Sequence, residues 1–257
     1  LDTSGMPIAW ENQFVDKHEP VEAPYIPYAI DNQFIHFTRS PTHVPFGAWR
    51  SVDHSQHAFF TESFIDELAV AAGKDPYHYR RTLLAGEPRM CKVLETAAKM
   101  ADWGKAMPTG WGQGIAVHRC FNTIVAQVVD LDMSSGTPRV DKVFCAADAG
   151  FVISPDGFIA QMESGIVFGL TAVLYGEITL KDGAVNESNF NNYKMVRMHN
   201  SPDIEVEIIN SGESLGGAGE PGTPPIAPAV TNAIFAVTRK RIRDLPVSKH
   251  DGTYKIS

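Results

Sequence analysis

The rhythm of apolar residues changes along this chain, and each change predicts a different element. In MPIAWENQFV and NQFIHFTRS, apolar and aromatic residues form short runs bounded by turn formers, which predicts two strands whose partners need not lie in the chain. The next run, PTHVPFGAWRSVDHSQ at 41–56, is rich in Pro, Gly and aromatics without a period and predicts an ordered loop. From residue 57 the step becomes three and four: Phe60, Phe64, Leu68 and Ala71 predict an amphipathic helix over 57–72, with Gly73 placed for a left-handed cap. A second helix follows, with Asp75 as N-cap and Pro76 at the first helical position, where its missing N–H costs nothing. Met90, Val93, Leu94, Ala97 and Ala101 predict a third helix, ending near Trp103 and Gly104.

The period then shortens to that of strands. Two β-rich runs, 123–133 and 139–147, flank a Ser-Ser-Gly-Thr-Pro turn and predict an antiparallel hairpin. A helix is expected over 155–174, a second hairpin around Asp182 and Gly183, an alternating strand in DIEVEIINS, and a closing helix over 226–243. Strands paired as hairpins with helices packed to one side define an α+β class with mixed or antiparallel sheets.

Composition narrows the functional classes. With 257 residues, 44% of them hydrophobic, the chain can bury a sizeable core as one large domain or two small ones. A net charge of -8 without a basic block argues against nucleic acid and anionic membrane surfaces, both of which draw on clustered Lys and Arg. The longest apolar stretches are interrupted short of a membrane span, so no transmembrane segment is expected. Cys91, Cys120 and Cys145 are odd in number and widely spaced, which suits buried free thiols and supplies neither a disulfide framework nor an iron–sulfur or zinc ligand set. The opening LDTSGMPIAW has no initiator Met and no leader pattern, as expected of a piece of a longer polypeptide. His43, His54, His57 and His118 show no i, i+4 pair around an acid, which argues against zinc. Asp53, His54 and Ser55 are neighbours in sequence rather than a convergent triad. GWGQGIA lacks the strand and the Lys-Ser/Thr of a phosphate loop.

The most unusual stretch is GGAGEPGTPPIAPAV, residues 216–230, where one carboxylate, Glu220, stands among glycines and prolines. Gly216, Gly217 and Gly219 would allow positive φ or close approach of a bulky group, and the prolines would fix the acid in place. The plainer possibility is a tight turn into the last helix with Glu220 solvated.

Three segments together carry a resemblance. GGAGEPGTPPIAPAVTNAIFAVTRKRIRDLP resembles the C-terminal end of the molybdenum-binding subunits of the xanthine dehydrogenase and aldehyde oxidase family, whose Gly-x-Gly-Glu-Pro run carries the active-site glutamate. VDKVFCAADAGFVISPDGFIAQMESGIVFGLTAVLYGEI is similar to the family's segment ending in Gln-x-Glu-Gly, with Ser164 in place of the usual glycine. PFGAWRSVDHSQHAFF resembles its Phe-Arg-Gly-x-Gly-x-x-Gln segment, with Trp49, Ser51 and Val52 as departures. The order, and the direct passage from the helices into GWGQGIAVHRC, is closest to the isoquinoline 1-oxidoreductase β-subunit branch.

The resemblance implies a C-terminal part of a molybdenum hydroxylase subunit. Residues 1–45 would end a preceding cofactor-domain region and 46–257 would form the C-terminal molybdopterin-binding domain. Glu220 would be the general base toward a hydroxyl on the molybdenum, in the hydroxylation of an N-heteroaromatic compound or aldehyde with water as oxygen donor. Gln161, Arg50, Gly217, Gly219 and Gln56 would approach the cofactor, and Trp49 and Val52 the substrate; the loss of the family's aromatic at Val52 argues against a flat purine clamp. The cofactor implied is a molybdopterin with Mo, usually the cytosine dinucleotide form in bacterial members. Partners implied are the N-terminal portion of the molybdenum subunit or a separate cofactor-binding subunit, and a subunit carrying 2Fe-2S clusters. Bacterial cytoplasm and periplasm both stay open as compartments. The competing reading is a non-catalytic assembly module that keeps the fold and a partner surface without metal.

Overall fold

The computed structural model describes residues 1–20, 22–41, 43, 45 and 47–250. Two N-terminal strands, β1 (Trp10–Asp16) and β2 (Gln33–Arg39), pair with each other in parallel, so their partners do lie within the chain. Three helices follow, α1 (His54–Ala71), α2 (Pro76–Leu83) and α3 (Pro88–Met100). The central sheet runs in the order β3 (Trp111–Cys120), β4 (Thr123–Asp132), β5 (Arg139–Asp148) and β8 (Asp203–Ile208). Its first three strands are antiparallel and β8 joins β5 in parallel. A parallel neighbour requires a crossover. It is supplied by α4 (Pro155–Leu174) and the short hairpin of β6 (Leu180–Lys181) and β7 (Ala184–Val185), and α5 (Ile226–Thr238) closes the fold.

The expected α+β class with a mixed sheet is found, with helices on both faces rather than gathered on one. Val125, Val129, Val143, Cys145 and Ala147 point into a core shared with α4 and α5. Ile124, Ala126, Val128, Phe144 and Ala146 point into a second core shared with α1, α2 and α3, to which Trp10, Ile26, Tyr28 and Ile30 also belong. The reason is legible in β4: TIVAQVVDLD is buried along nearly its whole length, as a strand covered on both faces must be.

β3 was not expected as a strand. Its glycines weaken the β signal, and they are there for packing. A Cβ on Gly114 would lie 2.1 Å from the Ala229 carbonyl, so α5 crosses β3 at a distance only glycine permits. The first helix exists where the period placed it, starting a little earlier, yet its stripe faces the other way. Phe60 and Phe64 are exposed, whereas His57, Glu62, Ile65, Asp66 and Ala69 are buried. The buried acids are matched: Arg80 Nε donates to Glu62 Oε2 at 2.8 Å and Arg241 Nη1 to Asp66 Oδ2 at 2.7 Å. The last helix stops short of the expected 243, where Arg239 turns left-handed at φ 58.

α4 has the length and apolarity to cross a membrane, with mean hydropathy 1.5, contrary to the expectation that no segment would. Its Phe158, Met162, Ile166, Leu170 and Val173 are nevertheless packed in the core against the sheet and α5, the setting of a buried core helix. Cys120 and Cys145 are buried, Cys91 is half-buried, and all three are free thiols.

Candidate active site

Three segments far apart in sequence meet at one arginine. The turn before α1 carries Arg50, whose Nε donates to the Gly219 carbonyl at 2.6 Å and whose Nη1 donates to Ser164 Oγ at 2.9 Å. Its Nη2 reaches the carbonyl and the Oε1 of Gln161 at 3.4 and 3.3 Å. A guanidinium presents donors in a fixed fork, so one side chain sets the α4 surface against the Glu220 loop. Burial pulls the Arg50 pKa below its ordinary value, and the nearby Glu220 charge opposes that shift.

Ser51 holds the carboxylate itself. Its backbone N–H donates to Glu220 Oε1 at 3.1 Å, and its hydroxyl donates to the Glu220 carbonyl at 2.7 Å. Ser51 and Val52 have φ of 72 and 48. Such values are costly for a β-branched residue and persist only where surrounding bonds enforce them. The enforcing bonds are Val52 N–H to Trp49 O at 2.8 Å, His54 N–H to Ser51 O at 3.0 Å and the Ser55 hydroxyl to Arg50 O at 3.0 Å.

The loop that carries Glu220 is pinned to the sheet from below. Gly216 N–H donates to Ala149 O and Gly217 N–H to Phe121 O, while the Thr123 hydroxyl donates to Gly217 O at 2.6 Å. Further back, Asp148 at the end of β5 accepts from Arg89 Nε, the Gly150 N–H and the Ser211 hydroxyl. Burial pushes the Asp148 carboxyl up, but these three donors together hold it below the usual carboxylate value. None of Gly216, Gly217 and Gly219 takes a positive φ, which corrects half of the reason expected for them. Close approach is the other half, and it falls on Gly216, where a Cβ would lie 2.2 Å from Thr123 Oγ1. At Gly219 a Cβ would meet only Gln161 Oε1, at 3.7 Å. After Glu220 the chain from Pro221 to Val230 is buried throughout, so the acid sits at the rim of a rigid segment.

The other expected site residues spread outward from this cluster. Trp49 packs on Phe168 of α4, ring centroids 4.8 Å apart, and the Arg50 guanidinium lies 5.6 Å from the same Phe168 ring. Val52 is half-buried in the strained turn. Gln56 is not drawn into the Arg50 cluster. It donates to Asp16 at 3.3 Å and, with Trp49, Phe59, Phe60, Thr223 and Ile226, lines a largely apolar cavity of about 360 Å³.

Sequence reasoning missed two partners of the site, Ser51 and Ser164. Their only signal was that each departs from the family pattern, and Ser164 in particular is no neutral replacement, since a glycine would offer Arg50 no hydroxyl. Nor did the sequence foretell that His54 and His118 would meet. Among the described residues, no group of three or more His, Cys, Asp or Glu converges as a metal-ligand set.

A mixed sheet sandwiched by helices thus carries an arginine, a glutamine and a fixed carboxylate that converge at one rim. A family model described as the molybdopterin cofactor-binding domain matches residues 92–202. The chain is 34% identical over 203 residues, 77% of its length, to the isoquinoline 1-oxidoreductase subunit beta of Brevundimonas diminuta. It is 32% identical over 227 residues, 80% of its length, to the membrane-bound aldehyde dehydrogenase (pyrroloquinoline-quinone) of Gluconacetobacter polyoxogenes. The matches span 26% and 29% of those two proteins, so this chain corresponds to little more than a quarter of each. The fold superimposes on quinoline 2-oxidoreductase from Pseudomonas putida 86 with a TM-score of 0.68 at 12% identity, over 86% of this chain and 54% of that one. The chain is therefore homologous to the xanthine dehydrogenase and aldehyde oxidase family of molybdopterin oxidoreductases.

Proposed function

We propose that this chain is the C-terminal part of the catalytic subunit of a molybdenum hydroxylase of the isoquinoline 1-oxidoreductase β-subunit branch. The observation that carries the reading is the single arginine that ties Gln161, Ser164 and Gly219 together while the adjacent Ser51 N–H fixes the Glu220 carboxylate. The reaction is oxidative hydroxylation of a carbon in an N-heteroaromatic compound or an aldehyde, with water as oxygen donor. Residues 1–45, of which 21, 42 and 44 lie outside the described residues, end a preceding cofactor-domain region, and 46–257, of which 46 and 251–257 lie outside them, form the C-terminal domain; the two share the core around Trp10 and Tyr28.

The residues present suit a molybdopterin. The exposed Gln161 amide and Ser164 hydroxyl stand at an open rim beside the Arg50 positive charge, which matches the phosphate, carbonyl and amide groups of such a cofactor. Gly217 and Gly219 lie in the loop alongside them, and Gln56 lies further out. When bound, the molybdopterin, in its cytosine dinucleotide form, supplies the two-electron redox chemistry. Glu220 accepts the proton of the water-derived nucleophile. Ser51 N–H occupies Oε1, which fixes the carboxylate rotamer and leaves Oε2 to take that proton, as a base held within hydrogen-bond reach requires. Trp49 and Val52 border the substrate side. A partner subunit carrying 2Fe-2S clusters would take up the electrons, and the remaining part of the molybdenum subunit or a separate subunit would supply the rest of the cofactor contacts.

The test is Glu220→Gln in the assembled enzyme. Loss of turnover by about 10²–10⁴, the usual contribution of a positioned base, with assembly and molybdenum content intact, supports the reading. Unchanged turnover with intact assembly would instead favour the non-catalytic module.

A further inference from the structure

The chemistry above leaves unused a polar chain beneath the Ser51 and Val52 turn that runs from a buried imidazole to an exposed carboxylate. His54, the first residue of α1, is 4% exposed. Its Nδ1 lies 2.9 Å from Nε2 of His118 on β3, and its Nε2 lies 3.1 Å from Oε1 of Glu22. The same carboxylate oxygen accepts the Phe121 N–H at 3.2 Å, and the carbonyl of that same Phe121 accepts the Gly217 N–H. The Phe121 ring also meets the His54 ring edge-on at 5.1 Å. One imidazole thus joins the start of α1, the β3–β4 turn and the segment before β2.

The direction of the chain follows from its ends. An ionised Glu22 can only accept, so His54 Nε2 carries the hydrogen. A neutral His54 then accepts at Nδ1, and His118 Nε2–H is the donor. The groups around His54 are the carboxylates of Glu22, Asp53 and Glu220, which favour its protonation, and the rings of His57 and His118; Cys120 faces Glu22 and Glu220. Burial outweighs the acids, holding His54 below the ordinary histidine value and His118 down to about 3. Both rings are therefore neutral at neutral pH, the state in which the donor order is self-consistent.

We propose that His54, clamped by His118 and Glu22, is a positioning residue for Glu220. Its backbone N–H closes the strained turn on Ser51 O, so anchoring its ring anchors the turn, and the turn aims the Ser51 N–H at Glu220 Oε1. The effect on turnover rests on Glu220 being the base proposed above; the effect on the Ser51 hydrogen bond does not.

The experiment compares His118→Phe, which removes the donor, with His118→Gln, which keeps an N–H near the same place, in the assembled enzyme labelled with ¹⁵N at serine and histidine. His118→Phe is expected to speed exchange of the Ser51 amide about tenfold, the loss of one hydrogen bond, and to lower kcat with little change in KM. His118→Gln is expected to restore both. An unchanged Ser51 amide in His118→Phe, or a glutamine no better than phenylalanine, overturns the proposal. Should His118→Phe fail to fold, Glu22→Ala decides, since this side chain is 54% exposed: faster Ser51 exchange supports the clamp and unchanged exchange overturns it. If Glu220→Gln keeps full turnover, the base assignment fails, while the Ser51 amide still decides the clamp.

Discussion

Gly216 and Gly219 sit three positions apart in one run and meet different demands. At Gly216 an added methyl would collide with Thr123 Oγ1 and with the Asn122 backbone at 2.9 Å, which cannot yield like the end of a flexible side chain. Gly216→Ala is expected to destabilise the fold by about 1–3 kcal/mol, the usual cost of overpacking, measured by urea denaturation. Gly219→Ala meets only Gln161 Oε1 at ordinary contact distance, so its stability should stay within about 0.5 kcal/mol of the parent. Glu220, Arg50 and Gln161 stand in motifs that the sequence displays, and the fold brings them to one rim. Ser51 and Ser164 were not legible there, because their importance lies in bonds across 169 and 114 residues that no local pattern encodes.

At the scale of elements, what could be read was whatever local chemistry decides. Asp75 caps α2, accepting from the Tyr77 and His78 N–H groups, and Asp75→Ala should lower stability by about 1 kcal/mol in thermal denaturation. The hairpin at Asp182 and Gly183 and the bounds of α4 were likewise local matters. The orientation of α1 was not, since Glu62 and Asp66 are buried only because Arg80 and Arg241 arrive from α2 and the segment after α5. β3 was hidden for a similar reason, its glycines answering to α5 rather than to their own strand. The tie between β5 and the Glu220 loop carries a pH signature. Asp148 has a folded pKa depressed by Arg89 and its other donors, so its contribution is complete above the unfolded value, about 3.9, and is lost as pH falls through the lower folded value. Arg89→Met should therefore cost about 3–5 kcal/mol at pH 7, the penalty for stranding a buried charge, and the gap to the parent should narrow below about pH 4 in denaturation curves.

Over the whole molecule, the outer face of α1 leaves two aromatic side chains, Phe60 and Phe64, exposed. Trp10, Phe59, Phe60 and Phe64 line an open cavity of about 340 Å³ that shares Phe59, Phe60 and Arg243 with the cavity beside Trp49. Phe60→Glu with Phe64→Glu, both at exposed positions, is expected to leave the circular dichroism of the chain unchanged. Sheet class and helix number were readable from period and caps together, whereas the covering of both sheet faces emerged only from the burial of β4. The Arg50 junction has a further consequence. Its bonds close loops of 111 and 169 residues around a turn already held in an unfavourable conformation. Contacts of such long range are slow to form, because each must offset the entropy of the chain it closes. The Glu220 carboxylate is therefore held in place only once segments from opposite ends of the sequence have come together.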